Sequence, residues 1–138
     1  MNLDLKTINE FRKEFMKSYY KEWKQEDLDR VLNQPQVKLL TMEWKDQNDM
    51  LVALTTIHFV ESLTRKSLII EDFIVDKMCR NMGFGTQLLQ RVIDLAKEIK
   101  ADCVEVCTPQ NAEVAKLLYE KFGFKNRKNI TYRLWLKY

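Results

Sequence analysis

Two glycines one residue apart, Gly83 and Gly85, separate an apolar run from an amphipathic one in a chain with only three glycines among 138 residues. Average usage near 7% would give roughly ten, so this pairing marks a place where bare backbone is wanted. The stretch reads Leu68-Ile-Ile-Glu-Asp-Phe-Ile-Val-Asp-Lys-Met-Cys-Arg-Asn-Met-Gly-Phe-Gly-Thr86: a buried strand, a loop and then directly a helix. Such a loop turns successive N–H groups toward one point, and the helix N-terminus adds about half a positive charge. Phosphate or diphosphate is the ligand that suits it; a turn that needs positive φ twice is the plainer alternative. Two nucleotide motifs fail. A dinucleotide loop would need glycine where Leu88 stands, and a P-loop would need Gly-Lys-Ser/Thr where the chain has Gly85-Thr86-Gln87.

Other reactive side chains narrow the chemistry further. With a single histidine, His58, and three cysteines without a CxxC spacing, neither a zinc site nor a disulfide framework is expected, and no metal is implied. Triad and metal-hydrolase chemistry is largely excluded on the same ground. Cys103 and Cys107 lie in an apolar run and read as buried thiols. In the strand before the glycines, alternation places Glu71 on one face with Phe73 and Val75 and turns Asp72 to the other.

The elements that must position these residues follow from periodicity. Ile8, Phe11, Phe15, Tyr19 and Trp23 predict an amphipathic helix over residues 7–24, with Thr7 and Glu10 as a capping box. A second helix, Glu26 to Leu32, must stop before Pro35. Strands are expected at Val37–Lys45, Met50–Val60 and Ser67–Val75, a helix at Thr86–Ile99 and a buried strand at Cys103–Thr108. A helix at Ala112–Phe122, ended by Gly123, and a last strand at Ile130–Tyr138 follow. An antiparallel meander leading into a strand–helix–strand crossover implies a mixed α/β sheet with helices on both faces. The length fits one domain, residues 1–138, with its own core.

Composition excludes several classes. The chain is 46% hydrophobic and 11% aromatic, which argues against disorder. No apolar stretch approaches a membrane span, and Met1-Asn2-Leu3-Asp4-Leu5-Lys6 has no signal core, so a cytoplasmic protein with no membrane partner is expected. The net charge is +3, and its densest basic run, Lys125 to Lys128, reads as solvated surface without a nucleic-acid partner.

Arg80-x-x-Gly83-x-Gly85, preceded by Glu71-Asp-Phe-Ile-Val75, resembles the acetyl-CoA signature of the GNAT superfamily of N-acetyltransferases. Ala115-Lys-Leu-Leu-Tyr119-Glu-Lys-Phe-Gly123-Phe124 is similar to that family's second signature, and together they cover residues 68–124. Glu71 to Arg80 is similar, without a gap, to diamine (spermidine/spermine) acetyltransferases, in which the matching glutamate lines the amine site. The resemblance implies a mostly antiparallel sheet whose central parallel pair splays around acetyl-CoA.

It also implies roles for residues. The diphosphate would lie on the amides of Asn81, Met82, Gly83, Phe84, Gly85 and Thr86 beside Arg80. The pantetheine would pair with the main chain of Phe73, Ile74 and Val75, and the Phe73 or Ile74 amide would support charge on the acyl oxygen. Glu71 corresponds to the base that deprotonates a primary amine of a small molecule or peptide, and Tyr119 to the acid that protonates the leaving thiolate. Asn111 stands one residue further from Tyr119 than the family's cofactor-touching asparagine, so it touches the cofactor or only caps a helix. Dimers are frequent in the family, which makes a homodimer an expectation. The rival function is an acyl-CoA-binding regulatory module without turnover.

Overall fold

The computed structural model describes residues 4–17 and 20–138, Phe15 by its backbone alone. The chain divides into two compact units, Met1–Cys107 and Thr108–Tyr138.

The first unit holds helices α1 (Leu5–Met16) and α2 (Gln25–Leu32), strands β1 (Val37–Trp44), β2 (Met50–Glu61) and β3 (Lys66–Val75), helix α3 (Phe84–Glu98) and strand β4 (Cys103–Val106). The strands form one sheet in the order β1-β2-β3-β4. The first two pairings are antiparallel and β3–β4 is parallel. This is the mixed α/β architecture that the meander and crossover demand. In β2, Val52, Ala53, Leu54 and Thr55 are all buried in succession, as expected of a strand covered on both faces. On one face Leu54 and Ile74 pack with Ile8 and Phe11 of α1 and Leu28 of α2. The other face is covered by α3, which buries Leu88, Leu89, Val92 and Ala96 and touches all four strands.

The amino-terminal helix is shorter than its periodicity predicts. It ends at Met16, and Lys17 takes a φ of 53°. Beyond it, side chains of α1 replace the helical hydrogen bonds of residues 20–24. Asn9 Oδ1 accepts from the Trp23 amide and its Nδ2 donates to the Trp23 carbonyl, both at 2.9 Å. Arg12 donates to the Lys21 carbonyl at 2.7 Å and lies 3.9 Å over the Trp23 ring. The aromatic stripe was periodic, but a buried asparagine opposite it offers the backbone a better partner than another helical turn. The Thr7–Glu10 capping box does not form either. Asp4 caps α1 three residues earlier, accepting from the Lys6 amide and the Thr7 hydroxyl, each at 3.1 Å. Tyr19 and the Phe15 side chain of the predicted stripe lie outside the described residues.

The cysteines also depart from expectation. Cys107 is exposed, Cys103 half-buried, and Cys79 is the buried thiol. β4 stops at Val106, so Cys107 belongs to the following loop rather than to the apolar run that precedes it.

The second unit contains α4 (Glu113–Lys121), which ends where Gly123 adopts a φ of 94°. A left-handed residue just past a helix is the position that favours glycine. The strand expected at Ile130–Tyr138 is absent: residues 124–138 have no regular secondary structure. Its alternating Ile130, Tyr132, Leu134, Leu136 and Tyr138 are all exposed. Alternation describes a strand only when a ladder partner takes up its N–H and C=O groups; residues 124–138 enter no ladder among the described residues. No described helix is long and apolar enough to cross a membrane.

Because Asn9 is buried and makes both bonds to Trp23, Asn9→Ala should lower unfolding stability by about 2 kcal/mol and shift Trp23 emission toward the exposed range. Urea denaturation followed by fluorescence measures both, and an unchanged midpoint would show that Asn9 does not hold this segment.

Candidate active site

β3 changes character in its middle. Opposite β2, Ile57 pairs with Ile70 and Thr56 pairs with Asp72, so Glu71 is an extra residue, a β-bulge. On its other edge, the parallel ladder to β4 runs from Ser67–Cys103 to Ile70–Val106 and ends there, five residues before β3 ends at Val75. The strand therefore takes in its extra residue at the level where its parallel neighbour stops.

The bulge alters which side chains share a face. Asp72 and Ile74 point to the α1–α2 side, where both line one cavity. Phe73 alternates to the other face, as strand parity requires. Glu71 itself falls out of the alternation: its carboxylate is exposed and forms no hydrogen bond or ion pair among the described residues. Asp72 is half-buried and held. Its Oδ2 accepts from the Thr56 hydroxyl at 2.6 Å, and the Thr55 hydroxyl donates to its carbonyl.

Past Val75, a tight turn carries the chain to α3. Asp76 donates its amide to the Val52 carbonyl at 2.7 Å and accepts from the Met78 amide through Oδ1 at 2.9 Å. Arg80 ties the turn down, with Nε donating to the Val75 carbonyl at 3.2 Å and Nη2 2.6 Å from Glu14 of α1. Asn81 then takes a φ of 64° and Gly83 a φ of 88°. Positive φ is thus used twice, by Asn81 and Gly83, while Gly85 lies in the first turn of α3 where helical backbone asks for no glycine. The bare Cα of Gly85 suits close approach by a ligand rather than a conformational need.

The N-terminus of α3 is left open. Gly83 is its N-cap and supplies no side-chain bond. The first helical bond is from the Gln87 amide to the Gly83 carbonyl at 3.1 Å, so the amides of Phe84, Gly85 and Thr86 have no intrahelical acceptor. Met82 is exposed, and the Phe84 ring leans on Trp44 with centroids 5.8 Å apart. Three orphan amides, a left-handed glycine before them and a side-chain-free second position fit a diphosphate. The left-handed Asn81 is the feature that sequence reasoning missed, although asparagine's tolerance of that region was a readable signal.

The remaining candidates lie in the second unit. Tyr119 is buried, its ring 5.5 Å from that of Phe124, and burial pushes its phenol up to about 12. Asn111 is exposed and does not cap α4; Ala112 is the N-cap, with no side-chain bond. Of the two roles considered for Asn111, the cap is therefore not realised.

A cavity of about 490 Å³ lies in the first unit between α1–α2 and the sheet. Asp72, Arg12, Thr56 and His58 reach it from an otherwise mostly apolar lining. Nothing in the sequence periodicity announced this cavity. Among the described residues no cluster of three or more histidine, cysteine or acidic side chains could hold a metal ion.

The first unit thus combines a parallel strand pair that ends at Ile70–Val106 with an uncapped, glycine-led helix. The chain belongs to the GNAT acetyltransferase family, whose model matches residues 8–124. No curated protein matches it in sequence. Among solved structures it is similar to a transcriptional regulator from Bacillus halodurans C-125, with a TM-score of 0.82 and 18% identity over 96% of this chain and 93% of that one. It is also similar to the aminoglycoside acetyltransferase meta-AAC0020 from an uncultured soil metagenomic sample, solved with sisomicin: TM-score 0.83, 18% identity, 97% and 91% coverage. A second soil-metagenome aminoglycoside acetyltransferase, HMB0005, aligns at a TM-score of 0.78 and 18% identity over 97% and 93%. At these identities the likeness is one of fold.

Three outcomes test this geometry. At Gly83 an added Cβ meets nothing nearer than Gln87 Nε2 at 3.9 Å, so Gly83→Ala should cost about 1–2 kcal/mol of stability through its φ alone. Gly85→Ala should leave folding nearly intact. In alkaline titration followed at the tyrosinate absorbance, Tyr119 should be the late group, ionising near pH 12. The unfolded phenol ionises near its ordinary value of 10.0, so the stability its burial sustains is fully present below pH 10 and is lost as pH rises through about 12. Native tyrosine ionisation complete by pH 11 would contradict this burial.

Proposed function

We propose that this protein is a cytoplasmic, acetyl-CoA-dependent N-acetyltransferase that moves an acetyl group to a primary amine of a small molecule or peptide by direct attack, with residues 1–138 acting as one domain. The observation that supports it best is the coincidence of three features on one segment. The parallel ladder stops at Ile70, Glu71 bulges, and the chain leads within nine residues of Val75 to the open N-terminus of α3.

When bound, acetyl-CoA supplies an activated acetyl thioester. The amides of Phe84, Gly85 and Thr86, with Asn81, Met82 and Gly83, would hold its diphosphate at the positive end of the α3 dipole. Arg80 is already committed to Glu14 and Val75, so its first contribution is to fix the loop. Phe73, Ile74 and Val75 would offer main-chain groups beyond the end of the β4 ladder.

Glu71 is the base in this reading. An amine of pKa near 10.4 needs about 4–5 kcal/mol to present its neutral form at pH 7, and an exposed carboxylate with no partner among the described residues can take that proton directly or through water. Tyr119 is the matching donor. Its phenol at about 12 is a weaker acid than a thiol of pKa near 8.5. Full proton transfer would run uphill by about 5 kcal/mol, so Tyr119 helps chiefly by hydrogen-bonding the departing sulfur.

A second reading, a non-catalytic acyl-CoA-binding regulatory module, draws on the Bacillus halodurans neighbour described as a transcriptional regulator. Thiol release from acetyl-CoA with a panel of primary amines separates the two. The enzyme turns over at least one amine; saturable acetyl-CoA binding without turnover across the panel supports the module. In the enzyme, Glu71→Gln should lower kcat/KM about 100-fold at pH 7 and regain part of the loss as pH rises toward the amine pKa. Tyr119→Phe should lower kcat about tenfold with little change in the KM for acetyl-CoA. An unchanged kcat removes Tyr119 from the chemistry.

A further inference from the structure

Between α1–α2 and the sheet, the cavity of about 490 Å³ has a composition that points to its guest. Phe11, Leu28 and Leu32 form its helix wall, Leu39, Leu54 and Ile74 its floor, and Trp23 comes from the segment that Asn9 holds. One carboxylate, Asp72, and one guanidinium, Arg12, reach it. Its floor is the part of β3 that carries Phe73 and Val75 on the opposite face and the bulged Glu71 beside it.

We propose that this cavity is the acceptor site and that it selects a monoamine with an apolar alkyl or aryl body, its ammonium bound to Asp72. The proposal rests on the acetyl-transfer reading above for its link to catalysis, but the ligand class comes from the cavity alone. Asp72 Oδ2 accepts one hydrogen bond, from Thr56 at 2.6 Å; an ionised carboxylate offers about four acceptor positions, so room is left for an ammonium. The threonine fixes the carboxylate, and the ammonium needs no rearrangement to meet it.

Arg12 decides against a polycation. Its guanidinium is held 3.9 Å over Trp23, donates to the Lys21 carbonyl at 2.7 Å and contacts Asn9 Oδ1 at 3.3 Å. Its charge also attracts Asp72, so one ammonium shares that carboxylate with Arg12, and a second would face the fixed cation and the apolar walls with no further carboxylate among the lining residues. A monoamine instead places its single charge at Asp72 and buries its body against Phe11, Leu28, Leu54 and Ile74. The volume falls in the range of small-molecule sites, and the few polar groups among apolar ones are what such sites use to orient a ligand. This choice runs against the diamine resemblance of residues 71–80, because the side chains that set charge in the cavity also come from α1, outside that stretch.

Isothermal titration without acetyl-CoA tests the cavity independently of turnover, using 2-phenylethylamine, n-hexylamine, 2-phenylethanol, spermidine and kanamycin. The monoamines should bind at least tenfold more tightly than spermidine or kanamycin, and phenylethylamine at least tenfold more tightly than its neutral alcohol. Asp72→Asn should abolish the preference for amine over alcohol while the alcohol's affinity stays unchanged. Val31→Trp, which fills the cavity wall, should weaken all monoamines tenfold or more, with thermal melts verifying that both variants fold. Monoamine binding without acetyl transfer supports the cavity and defeats the transferase reading. Turnover of spermidine or kanamycin with no monoamine binding overturns the cavity proposal and leaves the transferase intact. Equal affinity for monoamine and spermidine, or an amine preference that survives Asp72→Asn, also overturns it.

Discussion

One strand has to serve two neighbours and then only one. Up to Ile70, β3 pairs with β2 and β4; beyond it, β3 keeps β2 while the β4 ladder has ended. The extra residue at Glu71 falls at this level, and inserted residues bend a strand and increase its local twist. That geometry exposes Glu71, turns Asp72 into the α1–α2 cavity and delivers the chain to α3. The rest of the first unit preserves it. Arg80 links the end of β3 to Glu14, and Asp76 fastens the turn to Val52 in β2.

The parallel register has its own lock. The Lys66 amide donates to Asp102 Oδ2 at 2.8 Å, and the Asp102 amide donates to the Lys66 carbonyl at the same distance. Lys66 Nζ also reaches the Ile99 carbonyl at the end of α3 at 2.9 Å. A crossover helix can return its strand beside β3 in several registers, and these bonds select the one that pairs Ser67 with Cys103. Because β4 has only four residues, that starting register also sets where the ladder ends.

Charge is distributed with the same economy. Arg65–Glu105 and Arg30–Asp27 are solvent-exposed pairs that add little stability. The consequential groups are those held in place: Asp72 by threonine, Arg12 by an aromatic face and a carbonyl, the α3 amides by a helix with no capping side chain. Burial of Tyr119 works differently. It withholds the phenol from ionisation and so weakens it as an acid.

The glycine pair, the strand–loop–helix order, the crossover and the stop at Gly123 were legible in the residues, because each rests on local backbone preference or on periodicity over a few turns. The family signature lay in those same local features, which is why residues 68–124 resembled it on sight. Residues 20–24 and 130–138 were misread for a common reason. Aromatic spacing and apolar alternation state what a helix or strand would bury, but whether one forms depends on the partners on offer: Asn9 and Arg12 in the first case, no ladder partner among the described residues in the second. Sequence by itself determined the types and order of the elements from α2 to α4 and the place of the glycine-bearing loop, since those depend on neighbours along the chain. Only tertiary structure decided the bulge at Glu71, the end of the parallel ladder and the charge balance of the cavity. Each of these is set by where residues distant in sequence meet, and a carboxylate's surroundings cannot be read from its neighbours along one strand.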